Sequence, residues 1–125
     1  MDLNKQLSYW IEGAFSDLET AELLIKNKRF LHGLFFCHLT IEKILKASFV
    51  KVSGDIPPKT HNLLRLVEKT NLSLKDKEIK LLEILMIYQL EGRYPEYSPL
   101  IPNETTVIDI FDQTKNLLTC LRKKL

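Results

Sequence analysis

Apolar residues recur at spacings of three and four along almost the whole chain, which is the period of helices packed on one face. Leu3, Leu7, Trp10, Ala14, Leu18, Ala21 and Ile25 form one stripe, with Asn4, Glu12 and Glu19 away from it. That stripe predicts a first helix of roughly six turns. The pattern breaks at Lys26-Asn27-Lys28 and restarts near Arg29 or Phe30, running to about Val52. In this second helix Leu34, Cys37, Ile41, Ile44, Leu45 and Ser48 fall within about a 100° arc at the helical period. The connection is short, so the first two helices are expected to be antiparallel neighbours.

Gly54 suits a C-terminal cap, and Pro57-Pro58 forbids continuation of the second helix. Thr60 then suits the N-cap of a short third helix carrying Leu63, Leu64 and Val67. The chain restarts at about Leu74, with Ser73 or Asp76 as cap. The fourth helix, "KEIKLLEILMIYQLEG", is apolar over most of its circumference, so it is expected to be central in the bundle or shared with another subunit. A last helix runs from Thr105 or Thr106 to about Lys123, with Val107, Ile110, Phe111, Thr114, Leu117, Leu118 and Leu121 in a single stripe. No stretch has the alternation of a strand. The fold class expected is all-α: an antiparallel four-helix bundle with one additional short helix, forming a single domain over residues 1–125.

Composition narrows the function classes more than it selects among them. At 125 residues, 45% hydrophobic and 27% charged, the chain has the size and apolar content of one domain. A net charge of +2 is too small for a protein that binds nucleic acid as a polyelectrolyte. The Arg122-Lys123-Lys124 cluster instead suits the negative end of a helix dipole. Asp2, Lys5 and Glu12 interrupt any N-terminal apolar run, and no stretch reaches membrane-spanning length, so a cytoplasmic protein with no membrane association is expected. Cys37 and Cys120 lie in apolar helical patterns, as reduced and buried thiols do.

Metal chemistry finds little support. His32 and Cys37 project about 140° apart on one helix, and His32 and His38 about 120°, so neither pair shares a site there. No Cys-x-x-Cys, His-Glu-x-x-His or glycine-rich phosphate loop occurs. Neither a metal nor a cofactor is expected. His38, Glu42 and Lys46, at i, i+4 and i+8, line up at the border of the apolar face. The plain reading is a helix ion pair worth about 0.2–0.5 kcal/mol beside a core-edge histidine. The functional reading is a polar strip on a cleft, where Glu42 orients a base or a water and Lys46 meets a phosphate.

His61, in the first turn of the short helix, suits a capping or packing role, with an unprotonated ring facing the local positive dipole. Arg93 follows Gly92 at the end of the fourth helix, where a guanidinium can bind the last carbonyls or reach an anion. Tyr94 and Tyr97 can stack on a base or close the end of the bundle.

These motifs come in an order that is informative as a set. A first helix with Trp10, Ala14, Asp17, Leu18 and Ala21 is followed by "CHLTIEKILKA" (37–47), "PPKTHNLLRL" (57–66) and "GRYPEY" (92–97). In that order and spacing the chain resembles a HEPN domain, the higher eukaryote and prokaryote nucleotide-binding family. The resemblance covers nearly the whole chain. It implies a bundle of four or five helices that commonly forms homodimers, with a minimal nucleotidyltransferase as frequent partner in two-component or toxin–antitoxin systems.

A large branch of that family consists of metal-independent ribonucleases, marked by an Arg followed, after four to six residues, by a His. Here Arg93 is followed at those distances by Ser98, Pro99 and Leu100, and no histidine occurs after His61. The match is to the Arg-Tyr-Pro branch, which leans away from an enzyme. The resemblance therefore implies a non-catalytic module that binds a nucleotide or partners a nucleotidyltransferase, with Arg93, Tyr94, His61, Lys46 and Glu42 lining its site. The alternatives are a ribonuclease toxin with a rearranged active site acting on RNA, and a purely structural interaction subunit.

Overall fold

A computed structural model describes residues 2–125. Five helices follow in order: α1 (Leu3–Lys26), α2 (Phe30–Ser53), α3 (Leu63–Glu68), α4 (Asp76–Ile87) and α5 (Glu104–Lys123), with one 3-10 turn at Pro95–Tyr97. Among the described residues there is no strand. The all-α expectation holds.

Local chemistry accounts for most of the helix boundaries. The Asp2 carboxylate accepts from the backbone N–H groups of Asn4 and Lys5, at 3.0 and 3.2 Å, and so starts α1. Asn103 does the same for α5 through Thr106, at 2.9 Å. Gly54 ends α2 in the left-handed conformation, φ 70°. Two expected starts shift. Asn62, not Thr60, caps α3, accepting from Arg65 N–H at 3.1 Å, while the Thr60 hydroxyl closes the turn before it by accepting from Asn62 N–H. At α4 the N-cap is Lys75, whose backbone N–H donates to the Glu78 carboxylate at 2.8 Å, so neither Ser73 nor Asp76 holds that role.

The α1–α2 hairpin is antiparallel, as its short connection predicts. Ile25 lies beside Gly33, Lys43 beside Gly13 and Leu3 beside Gly54, so the chain positions run in opposite order along the two helices. Close approach at the turn requires glycine: a Cβ on Gly33 would sit 2.6 Å from Ile25 Cγ1. Ion pairs fasten the flanks of this hairpin, with Lys43 on Asp17 at 2.7 Å and Lys28 of the turn on Glu104 at the start of α5.

The centre of the bundle is α2, which packs on α1, α3, α4 and α5. It buries Leu34, Cys37, Ile41, Ile44, Leu45, Ala47 and Val50. Each large side chain so buried contributes about 1.5–3 kcal/mol, which makes α2 the largest single source of core stability. The buried hydroxyls along it donate to the carbonyl four residues back, Thr40 to Phe36 and Ser48 to Ile44, so they cost little. The fourth helix, expected to be central in the bundle or shared with another subunit, does not hold the central place. It ends at Ile87, with Tyr88 as its C-cap, and buries only Leu81, Leu82 and Leu85, leaving Ile87 exposed. This 12-residue helix packs on α2, α3 and α5, and its burial is confined to that one side.

Candidate functional site

Four-residue spacing places His38, Glu42 and Lys46 in one column on α2, and the column is buried rather than bordering the core: the three residues are 0%, 4% and 7% exposed. The cover comes from the segment that leads into α3. The His61 carbonyl oxygen sits 2.9 Å from His38 Nε2. A carbonyl only accepts, so Nε2 carries the hydrogen and Nδ1 is bare. That Nδ1 has no hydrogen-bond partner and lies 3.7 Å from the Glu42 carboxylate. Burial pushes the His38 pKa below its ordinary value, against the opposing pull of Glu42 and the His61 carbonyl. His38 is thus a neutral core imidazole that pins the α3 approach onto α2.

Glu42 is the hub. One oxygen accepts from Lys46 Nζ at 3.0 Å and the other lies 2.9 Å from His61 Nδ1. A carboxylate has no hydrogen to give, so His61 Nδ1 donates and its Nε2 turns outward. Lys46 also sits 5.1 Å over the Trp10 ring, which makes it a cation–π partner as well as an ion-pair partner. Its charge is satisfied within the bundle. As placed, it neutralises Glu42 and does not face a solvent-borne phosphate.

His61 precedes the cap residue Asn62, so it lies outside the first turn of α3 where the sequence reading put it. Freed from the helix, the half-exposed ring spans two elements. Its Nε2 lies 3.3 Å from the Glu91 carboxylate, which belongs to the α4–α5 connection. Glu91 is followed by Gly92, at φ 76°, and then by Arg93. The Arg93 guanidinium donates to the Met86 carbonyl at 3.4 Å and the Tyr97 carbonyl at 3.3 Å. It caps the last turn of α4 and closes the Tyr94–Tyr97 turn in one contact. The Tyr94 and Tyr97 rings project into solvent, 68% and 66% exposed.

Of the five residues singled out from sequence, Glu42, Lys46 and His61 form one hydrogen-bonded chain. Arg93 and Tyr94 lie on the adjoining turn, joined to it through Glu91. Two members of the cluster were missed as such. Glu91 reads in sequence as the last polar residue of a helix, and only the fold brings it to His61. Trp10 is visible as an apolar stripe position, with nothing to mark its stacking on Lys46. His32 stands apart, beside a different surface depression with Leu24, Asn27 and Arg29. Both cysteines are free. Cys37 is buried, and desolvation pushes its thiol up to about 12, whereas Cys120 is only half-buried. No helix of the described residues is long and apolar enough to cross a membrane.

The arrangement has relatives. Residues 7–124 match the HEPN domain family model, and the chain belongs to that family. Two solved structures share its fold. TT1696 from Thermus thermophilus is 19% identical, with a TM-score of 0.81 over 96% of this chain and 98% of that one. ST0689, an archaeal HEPN homologue, is 16% identical, with a TM-score of 0.65 over 94% and 96% of the two chains. No curated protein matches the sequence.

Proposed function

We propose that this HEPN protein is a non-catalytic nucleotide-binding module, with its site on the flank of α2 where the Arg93–Tyr97 turn meets His61. The observation that carries this reading is the chain Lys46–Glu42–His61–Glu91, which orients one imidazole from the protein interior toward a turn bearing an arginine and two exposed tyrosines. Each component suits a nucleotide. The outward N–H of an imidazolium and a guanidinium are donors for phosphate, and tyrosine rings offer faces on which a base can stack. Glu42 and Lys46 serve from behind, by fixing the His61 ring.

The family-type ribonuclease reading is weaker on the same geometry. Its acid–base histidine has no counterpart after Arg93, and the Arg93 guanidinium is turned to backbone carbonyls. Use of this module as a homodimer, or as the partner of a minimal nucleotidyltransferase, is part of the proposal. Ile87, Leu100 and Ile101 leave apolar surface beside the turn for such a contact.

One experiment separates the readings. Thermal unfolding of the wild type and Arg93→Ala is followed with ATP and AMP, and the same proteins are incubated with mixed RNA in EDTA. A ligand at 100 times its Kd adds about 2.7 kcal/mol of stability, so the wild type is expected to melt higher with nucleotide and Arg93→Ala to lose most of that gain. RNA cleavage by the wild type but not by Arg93→Ala would move the protein to the ribonuclease class. No shift with any nucleotide would leave the interaction subunit.

A further inference from the structure

The two ring nitrogens of His61 are held very differently. Nδ1 donates to a carboxylate that is 5% exposed and is itself fixed by Lys46. Nε2 faces the Glu91 carboxylate, which is 63% exposed and forms no other hydrogen bond or ion pair among the described residues. The inner contact is part of the bundle; the outer one can be exchanged. With one ring hydrogen committed to Glu42, Nε2 donates only in the imidazolium form, and to that N–H a carboxylate oxygen and a phosphate oxygen are equivalent acceptors of the same charge sign.

We propose that Glu91 is an internal stand-in for a phosphate group: its carboxylate occupies His61 Nε2 in the free protein and must leave for a nucleotide phosphate to bind there. This rests on the nucleotide site proposed above and adds to it an autoinhibitory contact. The hinge is in place. Gly92 follows Glu91 in the left-handed conformation, and the position a Cβ would take there has no atom within 4 Å. Beyond it, Arg93 is held by two hydrogen bonds to exposed backbone carbonyls, both longer than 3.2 Å. With Gly92 between them, Glu91 can leave His61 and Arg93 can leave its carbonyls. Its two carbonyl partners are neutral acceptors, and a charge-assisted bond to phosphate is the stronger one. Entry of a phosphate thus replaces an acid on His61 and gives Arg93 a better partner.

The test is a cycle of variants of the full chain, titrated calorimetrically with AMP and, separately, with adenosine. Glu91→Gln removes the competing charge while keeping the side-chain size. It is expected to bind AMP about two- to fivefold tighter than wild type, the range that loss of one exposed ion pair supports. Glu96→Gln removes the same charge from the same turn with no contact to His61, and its change is expected to be smaller. In His61→Gln/Glu91→Gln the gain disappears, because the site Glu91 guards is gone, and adenosine binding is indifferent to Glu91. An AMP affinity for Glu91→Gln no greater than for Glu96→Gln overturns the stand-in while leaving the nucleotide site intact. A gain that is equal for adenosine, or that survives His61→Gln, also overturns it. Absence of AMP binding in every variant overturns the nucleotide reading itself.

Discussion

The polar column of α2 and the connection between α4 and α5 meet at one histidine yet are built by opposite rules. His38, Glu42 and Lys46 are buried, and each is held by a fixed partner: the His61 carbonyl for His38, the His61 ring and Lys46 for Glu42, and Glu42 with Trp10 for Lys46. Glu91 to Pro99 is mostly exposed, and its turn closes through backbone carbonyls and a 3-10 segment, with no core residue of its own. The difference separates two tasks. The buried column sets the direction of the His61 ring, which tolerates no slack, while the exposed turn carries the groups that must be able to change partner. A site built only from the column would be closed to ligands, and one built only from the turn would have no fixed donor.

That contrast breaks most sharply at Glu42. Replacing it by alanine strands the Lys46 ammonium in the core, so Glu42→Ala is expected to cost about 3–5 kcal/mol in urea unfolding. The double variant with Lys46→Met removes the stranded charge and is expected to recover a large part of that loss. A loss below about 1 kcal/mol for the single variant would mean that water reaches the pair and the column is not the rigid half.

A core leucine against a turn leucine gives the next largest contrast. Leu45→Ala on α2 is expected to cost about 2–5 kcal/mol. Leu100, 92% exposed in the connection, should change stability by no more than about 0.5 kcal/mol on the same substitution. Comparable losses at both positions would show that the connection is packed in solution, for instance by a second subunit.

The smallest effect is a pH dependence. His38 has its pKa lowered in the folded protein from an ordinary value of 6.5. Below about 6.5 the unfolded chain therefore binds a proton that the folded chain refuses, and stability falls on acidification until the folded pKa is passed. The slope from one such group is at most about 1.4 kcal/mol per pH unit. Urea midpoints at pH 7.5 and pH 5.5 (about one unit to either side of the ordinary histidine value) are expected to converge in His38→Gln. An unchanged difference in that variant would place the acid sensitivity elsewhere.

Helix after helix, the sequence announces itself through local rules. The stripe from Leu3 to Ile25, the stop at Gly54 and Pro57-Pro58, and the stripe from Val107 to Leu121 each depend on neighbours three or four residues away, and each appears in the fold within a few residues of its expected limits. Where the reading slips, a contact from far along the chain decides. His38 looks like a core-edge residue until the His61 carbonyl, 23 positions later, covers it. The fourth helix looks central because seven apolar residues encircle it, yet its stop at Ile87 and its place on one flank leave α2 in the middle.

Periodicity and capping chemistry, then, determined that this chain is a helical bundle, and the order of its short motifs pointed to its family. Both are local signals, carried by residues within a turn or two of one another. Only the tertiary structure decided that Lys46 is neutralised inside the bundle, that His61 spans two elements, and that Glu91 meets the outer nitrogen of that histidine. Those pairings join residues as distant as 10 and 46, or 61 and 91. No periodic pattern encodes them, because they arise from how whole helices pack and where the connections between them are laid.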